Sequence, residues 1–311
     1  MTQGRPLGGP FCIAATVRSG LIAHMTRQSA TTIGFLAVLL WALLALFTVG
    51  ASEVPPLQLN AVCFGIGGSI GVIWTTASGR WGELKGIPLS VYAFGTVGLF
   101  GYHFLYFSAL RAAPPAEAGL IAYLWPLLIV LFSGLLPGER LRPLHLLGAA
   151  LSFAGAALIV AKGASFSGEH GLGYALALAC AVTWAGYSVL SRRLGTIPSM
   201  VVTVYCLATA GLSLLAHLAL EETVWPSTGM GWASMIGLGL GPVGAAFYVW
   251  DIGVKRGNIQ LLGTASYAAP LLSTLVLILA GIAAPSTALI VSALLITTGA
   301  GLAAYQSRQT G

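Results

Sequence analysis

One block occurs twice in this chain, 144 residues apart: Gly119-x-x-x-Tyr123-x-x-Pro126-Leu127-Leu128 and Gly263-x-x-x-Tyr267-x-x-Pro270-Leu271-Leu272. Each copy lies inside an apolar stretch. A proline there supplies no backbone N–H, so the carbonyl four residues earlier, Ala122 or Ser266, loses its helical partner. The block predicts a duplicated chain with two broken, polar-lined membrane helices.

The composition agrees. Apolar residues make up 57% of the chain and charged residues 7%, a balance that suits a polytopic membrane protein and not a soluble globule. The 41 glycines would let membrane helices approach closely. With about 20 apolar residues needed per span, the runs predict ten spans, at 31–50, 57–78, 88–110, 115–136, 144–161, 171–190, 198–219, 231–252, 259–280 and 286–305. The connections are too short for a separate soluble domain. The expected fold class is therefore an all-α membrane protein of ten transmembrane helices.

Residues 1–30 read as a leader or tag-like segment, with Met25 a candidate true start and residues 1–24 set outside the functional argument. The first five-helix repeat is assigned to 31–161, the second to 171–305, and a tail to 306–311. Twelve of the 14 Lys and Arg residues fall on the side expected to hold both termini, leaving only Arg111 and Lys162 on the other. The positive-inside rule then places both termini in the cytoplasm, and the inner membrane is the expected location. Because the basic residues are spread over many loops, the net charge of +6 reads as topology, and no nucleic-acid partner is expected. Cys63, Cys180 and Cys206 lie in spans without any CxxC pattern and read as packing residues.

Further matches appear near the same offset: Arg111 on Lys255, Gly155 on Gly299 and, at 143, Trp41-Ala42 on Trp184-Ala185. Five spans per half is an odd number, so the second half must enter the membrane upside down, giving a 5+5 inverted-topology repeat. Such halves can exchange conformations and open a central site to each side in turn. No GxxxxGK[ST] pattern is present to bind a nucleotide. The expectation is a carrier, not an enzyme, with no cofactor and no metal. Its partners are a small-molecule substrate and the lipid bilayer; the oligomeric state is open, a monomer being sufficient.

The five-plus-five arrangement, the Trp-Ala pair opening each half, the Tyr-x-x-Pro of each fourth span, and Gly138-Glu139-Arg140-Leu141 followed by Gly148 and Gly155 together resemble the EamA group of the drug/metabolite transporter superfamily. The resemblance covers residues 31–305. Tyr102-His103 and Tyr123-x-Trp125-Pro126 are similar to the YddG-type exporters of aromatic amino acids within that group. The resemblance implies alternating-access export of aromatic or other hydrophobic amino acids, with a broad hydrophobic drug and metabolite exporter as the alternative. One departure is that the Gly-Glu-Arg turn has no second-half counterpart, since 281–285 reads Gly-Ile-Ala-Ala-Pro.

At 1.5 Å per residue, Tyr102 and Tyr123 both lie roughly 12 Å below the outer ends of their spans. Tyr102, His103 and Tyr106 share one helical face, and Trp125 sits near the midplane. Interface anchors belong at span ends, so these residues are assigned to a cavity. His103 is the only ionisable side chain that the reading places well inside a span. It stands either as a hydrogen-bonded neutral imidazole holding its neighbours or as a proton or carboxylate contact. Trp184, Tyr187 and Ser188 in the sixth span, with Thr264, Tyr267 and Thr274 in the ninth, are expected to line the cytoplasmic half of the same cavity. Trp41 reads as a packing wedge.

Pro126 and Pro270 are expected helix breaks, and Gly239-x-Gly241-Pro242-x-Gly244 a hinge centred on Gly241 and Pro242, with close glycine packing as the rival reading. Asp251 with Lys255, and His217 with Glu221, read as i,i+4 pairs near span ends, the first of them on the surface. Gly67-Gly68-Ser69-Ile70-Gly71 matches GxSxG, which admits an intramembrane serine hydrolase, although Gly67 and Gly71 suit a helix-packing face better. A channel is the remaining rival.

Overall fold

The computed structural model describes residues 25–161 and 163–309; of the expected 1–30 leader, residues 1–24 lie outside them. Ten helices among these residues are long and apolar enough to cross a membrane: α1 (Arg27–Gly50), α2 (Pro56–Ala77), α3 (Leu89–Ala112), α4 (Pro115–Ser133), α5 (Pro143–Val160), α6 (Gly168–Leu194), α7 (Val201–Leu220), α8 (Gly229–Arg256), α9 (Ile259–Leu279) and α10 (Thr287–Ser307). Local chemistry sets their starts. Prolines occupy the first helical position of α2, α4 and α5, where a missing N–H costs nothing. Side chains of Thr26, Thr228, Asn258 and Ser286 accept the free N–H groups opening α1, α8, α9 and α10. Gly79, Gly138 and Gly281 take positive φ just beyond α2, α4 and α9, which allows the sharp reversals there.

The helices pair as the duplication demands: α1 packs on α8 and α6 on α3, while α2 meets α7, α4 meets α9 and α5 meets α10. Exchanging α1–α5 with α6–α10 maps this list onto itself. With an odd number of spans per half, the relating axis must lie in the membrane plane.

The repeat reaches into backbone geometry. α3 contains a π-helical turn at Val97–Gly101, and α8 contains one at Gly241–Ala245, again 144 residues on. In α8 Pro242 lacks an N–H, and the chain widens by one residue around it. The other expected breaks also appear: α4 is interrupted at Tyr123 and Leu124, and α9 at Ser266 and Tyr267. The Ser266 carbonyl, expected to be free, instead accepts the Ala269 N–H at 3.1 Å, because the chain tightens into an i+3 turn before Pro270.

Small residues set the closest approaches. A Cβ on Gly67 would lie 2.9 Å from Gly244 Cα, and one on Gly148 would lie 2.5 Å from the Gly299 carbonyl oxygen. Ser69 lies exposed on an unbroken α2 and donates to its own Gly65 carbonyl at 2.8 Å. That geometry is a helix face, not the strained strand-to-helix elbow a GxSxG nucleophile needs.

Candidate functional site

Four tryptophans from four helices meet where the halves join: Trp41 of α1, Trp125 of α4, Trp184 of α6 and Trp250 of α8. Their ring centroids lie 5.1 Å (Trp41–Trp250), 5.8 Å (Trp41–Trp125), 5.9 Å (Trp125–Trp250), 6.2 Å (Trp41–Trp184), and 6.3 Å for the two remaining pairs. Edge-to-face pairs of this kind contribute about 0.5–1.5 kcal/mol each beyond their buried area. The indole donors are satisfied as well: Trp41 Nε1 donates to the Pro242 carbonyl at 3.1 Å, and Trp250 Nε1 to Ser188 Oγ at 3.1 Å. The first of these binds α1 to the π turn of α8.

A tyrosine and histidine layer adjoins the cluster on the α3 side. Tyr102 lies 5.3 Å from Trp184 and stacks parallel on Tyr106 at 6.3 Å. His103 is held by its Nδ1, 2.8 Å from the Leu99 carbonyl in the π turn of α3, with Phe64 and Tyr102 each 5.0 Å from its ring. Since Nδ1 faces a carbonyl it must donate, which leaves Nε2 as the acceptor of a neutral ring. Tyr102, His103, Tyr106 and Tyr123 all keep accessible surface although they lie well within their helices. The phenols of Tyr102, Tyr106 and Tyr123 are near enough to interact electrostatically.

Beside Tyr123 and Trp41 lies a cavity of about 210 Å³, bounded by Leu44 of α1, Ile159 of α5, and Pro270, Ser273, Thr274 and Leu277 of α9. Its walls come from the half of the bundle away from the basic loops 79–87 and 137–142 and from Arg192 and Arg193. The basic end is tied shut across the halves. Glu139 accepts Arg27 at 3.0 Å and Arg192 at 2.6 Å. Arg192 also donates to the carbonyls of Val254 and Gly257, at 3.1 and 2.7 Å. At the opposite end Glu221 gathers Arg111 at 2.6 Å, His217 at 3.0 Å, and the backbone N–H groups of Leu57 and Gln58 at the start of α2.

Of the residues expected to line a cavity, Tyr102, His103, Tyr106, Tyr123, Trp125 and Trp184 come together. Trp125 and Trp184 are themselves buried, and so are Thr264, Tyr267, Ser188 and Tyr187. Tyr267 is fully buried, and its hydroxyl accepts the Leu127 N–H at 3.0 Å. Ser188 is committed to Trp250. Tyr187 is wedged between Trp184 and Phe94 and lies against Gly98 of the π turn. Trp41, read as a wedge, belongs to the cluster and to the cavity wall. Trp250, Phe247 and Phe64 were not anticipated, although Trp250 and Phe247 stand 144 residues after Tyr106 and His103 and were within reach of the repeat.

A second correction concerns Asp251 and Lys255. They pair at 2.9 Å as expected, but not on the surface: their side chains are 1% and 2% exposed. α8 does not stop near residue 252; it runs on to Arg256 and folds the pair in against α6 and α7. His103 is therefore not alone as an ionisable group within the bundle.

Ten apolar helices in two inverted halves, with an aromatic cluster at their junction, a cavity beside it and a tied end on either side, define a multi-pass membrane transport protein. The EamA-like transporter family profile matches residues 28–161 and again 171–305, and the chain belongs to that family. The chain is 54% identical over 288 residues to the aromatic amino acid exporter YddG of Ancylobacter novellus, covering 92% of this chain and 100% of that one. It is 28% identical over 271 residues to the exporter of the same name from Escherichia coli, covering 80% and 88%. A crystal structure of a protein 54% identical superposes with a TM-score of 0.87 over 91% of this chain and 99% of its own.

Proposed function

We propose that this protein is a secondary carrier of the inner membrane that exports aromatic and other hydrophobic amino acids by alternating access, with both termini in the cytoplasm. The observation that carries the reading is the aromatic surface formed by Trp41, Tyr102, Tyr106, Tyr123, Trp125 and Trp184 where the two halves meet. Indole and phenol faces solvate an aromatic side chain and attract an ammonium group. Tyrosine hydroxyls donate to a carboxylate, and His103 Nε2 accepts from the ammonium. The relatives named as aromatic amino acid exporters support the same substrate class.

No Lys or Arg stands among these residues. A zwitterion is therefore held by polar and aromatic contacts that let it go again, as turnover requires. In this topology the cavity lies in the outer half of the bundle, while Glu139 and Arg192 close the cytoplasmic end. The broken α4 and α9, with the π turns centred near Gly98 and Pro242, are the flexible points of the exchange, Gly241 and Pro242 acting as the hinge in α8.

The test is counterflow into proteoliposomes of labelled phenylalanine, tryptophan, threonine and a cationic drug. Saturable counterflow of phenylalanine and tryptophan is expected. Transport of the drug alone would favour a broad hydrophobic exporter, and flux without counterflow would make the protein a channel.

A further inference from the structure

The cavity beside Tyr123 lies largely between α1 and α9, and the inverted repeat pairs those helices with α6 and α4. The seam between α4 and α6 is open too, at the opposite end of the bundle. A groove of about 270 Å³ lies there, lined by Phe132 at the end of α4, Leu135 and Leu136 just beyond it, Gly186 and Leu190 of α6, and one charged residue, Arg193. Leu131, Leu135, Val182 and Leu190 are exposed, so both helices present an apolar surface to the bilayer. Gly186 is the open point of the wall, since a Cβ there would meet no atom within 4 Å.

Arg193 sets this groove apart from a bare lipid-facing crevice. Its neighbour Arg192 is engaged by Glu139 and by the carbonyls of Val254 and Gly257. Glu139 is shared between Arg192 and Arg27 and so is already taken up by two cations. Arg193 is exposed and makes no hydrogen bond or ion pair among the described residues. The repeat does not account for it either. At the offset of 143 that aligns Trp41 with Trp184, Arg193 falls on Gly50, and the wall of the outer cavity holds no basic residue. With the termini in the cytoplasm, as proposed above, this end meets the leaflet that carries anionic lipids.

We propose that the groove between α4 and α6 is a binding site for an anionic phospholipid, with an acyl chain against Phe132, Leu136 and Gly186 and the phosphodiester on Arg193. The guanidinium fork donates to the phosphate oxygens. The apolar walls take the chain. A free phosphate lacks that second contact, and a zwitterionic lipid brings its own cation, which competes with Arg193 for the phosphate. The bound lipid touches α4 of the first half and α6 of the second, so it fastens the same end that Glu139 and Arg192 tie.

The test is binding by purified protein in detergent, a readout that depends neither on orientation nor on transport. The protein is titrated with dioleoylphosphatidylglycerol, dioleoylphosphatidylcholine or glycerol phosphate, and binding is read by native mass spectrometry and melting temperature. The wild type is expected to retain phosphatidylglycerol, to melt higher with it than with phosphatidylcholine, and to ignore glycerol phosphate. Arg193→Gln is expected to weaken phosphatidylglycerol binding about five-fold, the effect of one basic residue at an anionic surface, and Arg193→Lys to restore most of it. Gly186→Leu, which puts a side chain into the open groove, is expected to abolish the lipid-dependent shift. Two controls are expected to bind as the wild type does: Lys85→Gln removes an exposed cation in the loop between α2 and α3, and Gly211→Leu fills open space on α7. Melting without lipid gives each variant's folding reference. Equal affinity for phosphatidylcholine, an equal response to glycerol phosphate, wild-type binding by Gly186→Leu or Arg193→Gln, or equal weakening by Lys85→Gln overturns the proposal. Should Gly186→Leu not fold, the contrast between Arg193→Gln and Lys85→Gln decides it.

Discussion

The Tyr267 hydroxyl accepts the Leu127 N–H at 3.0 Å, so the tyrosine of the second repeat holds the broken helix of the first. Its counterpart Tyr123 has a different position, on the wall of the cavity with Pro270. Two residues at matching positions of the repeated block are thus divided between structure and transport. Tyr267→Phe leaves a donor at the α4 break without its partner, and a loss of about 1–3 kcal/mol in stability is expected. Thermal unfolding in detergent checks this. Tyr123→Phe is expected to leave the melting temperature nearly unchanged and to reduce counterflow.

Trp41 donates to the Pro242 carbonyl inside the π turn of α8. Trp41→Phe keeps an aromatic ring but loses the donor, leaving that carbonyl unpaired at the point where α8 must flex. A roughly ten-fold fall in counterflow rate is expected, corresponding to about 1.4 kcal/mol. Rates measured alongside substrate affinity separate a hinge effect from a binding effect.

Much of this was legible in the sequence. Hydropathy finds the ten spans, the offset of 144 finds the two broken helices, and depth in the span finds Tyr102, Tyr123 and Trp125. The same offset would have linked Val97–Gly101 to the Gly-Pro run at 241–245, and Trp250 to Tyr106. Hydropathy cannot reveal a π turn, because one inserted residue changes the helical face without changing composition. Nor does it follow α8 past Asp251, since charged residues end an apolar window while the helix continues to Arg256. The division of labour between Tyr123 and Tyr267 depends on tertiary partners that the shared block does not encode.

α5 and α10 approach through glycine. A methyl group on Gly148 would meet the Gly299 carbonyl oxygen at 2.5 Å, and backbone cannot step aside as a flexible side chain does. Gly148→Ala is expected to cost about 1–3 kcal/mol. Gly301, with open space at its Cβ, is the control. Gly301→Ala is expected to be neutral or to stabilise by up to about 1 kcal/mol through helix propensity. Melting temperatures of the two variants check the contrast.

Outside the spans, Glu53 accepts the Ser227 backbone N–H and hydroxyl, both at 2.8 Å, and joins the loop between α1 and α2 to the loop between α7 and α8. The backbone bond, and then the hydroxyl, hold its carboxyl below the ordinary value of 4.5. A depressed folded pKa contributes stability above the ordinary value, and the contribution is lost as pH falls through the folded one. Wild type is therefore expected to melt above Glu53→Gln near neutral pH, the difference closing on acidification below 4.5. Melting curves across that range check the sign.

The central claim is that an aromatic amino acid crosses through the cluster joining Trp41, Trp125, Trp184 and Trp250 to the Tyr102 and Tyr106 face. Trp184 contacts Trp41, Trp125, Trp250 and Tyr102. The most direct measurement is counterflow of labelled phenylalanine in proteoliposomes carrying Trp184→Ala, at matched protein density and with helicity and elution volume as in the wild type. The account predicts a loss of at least about ten-fold, the removal of one buried aromatic contact; counterflow equal to the wild type would contradict it.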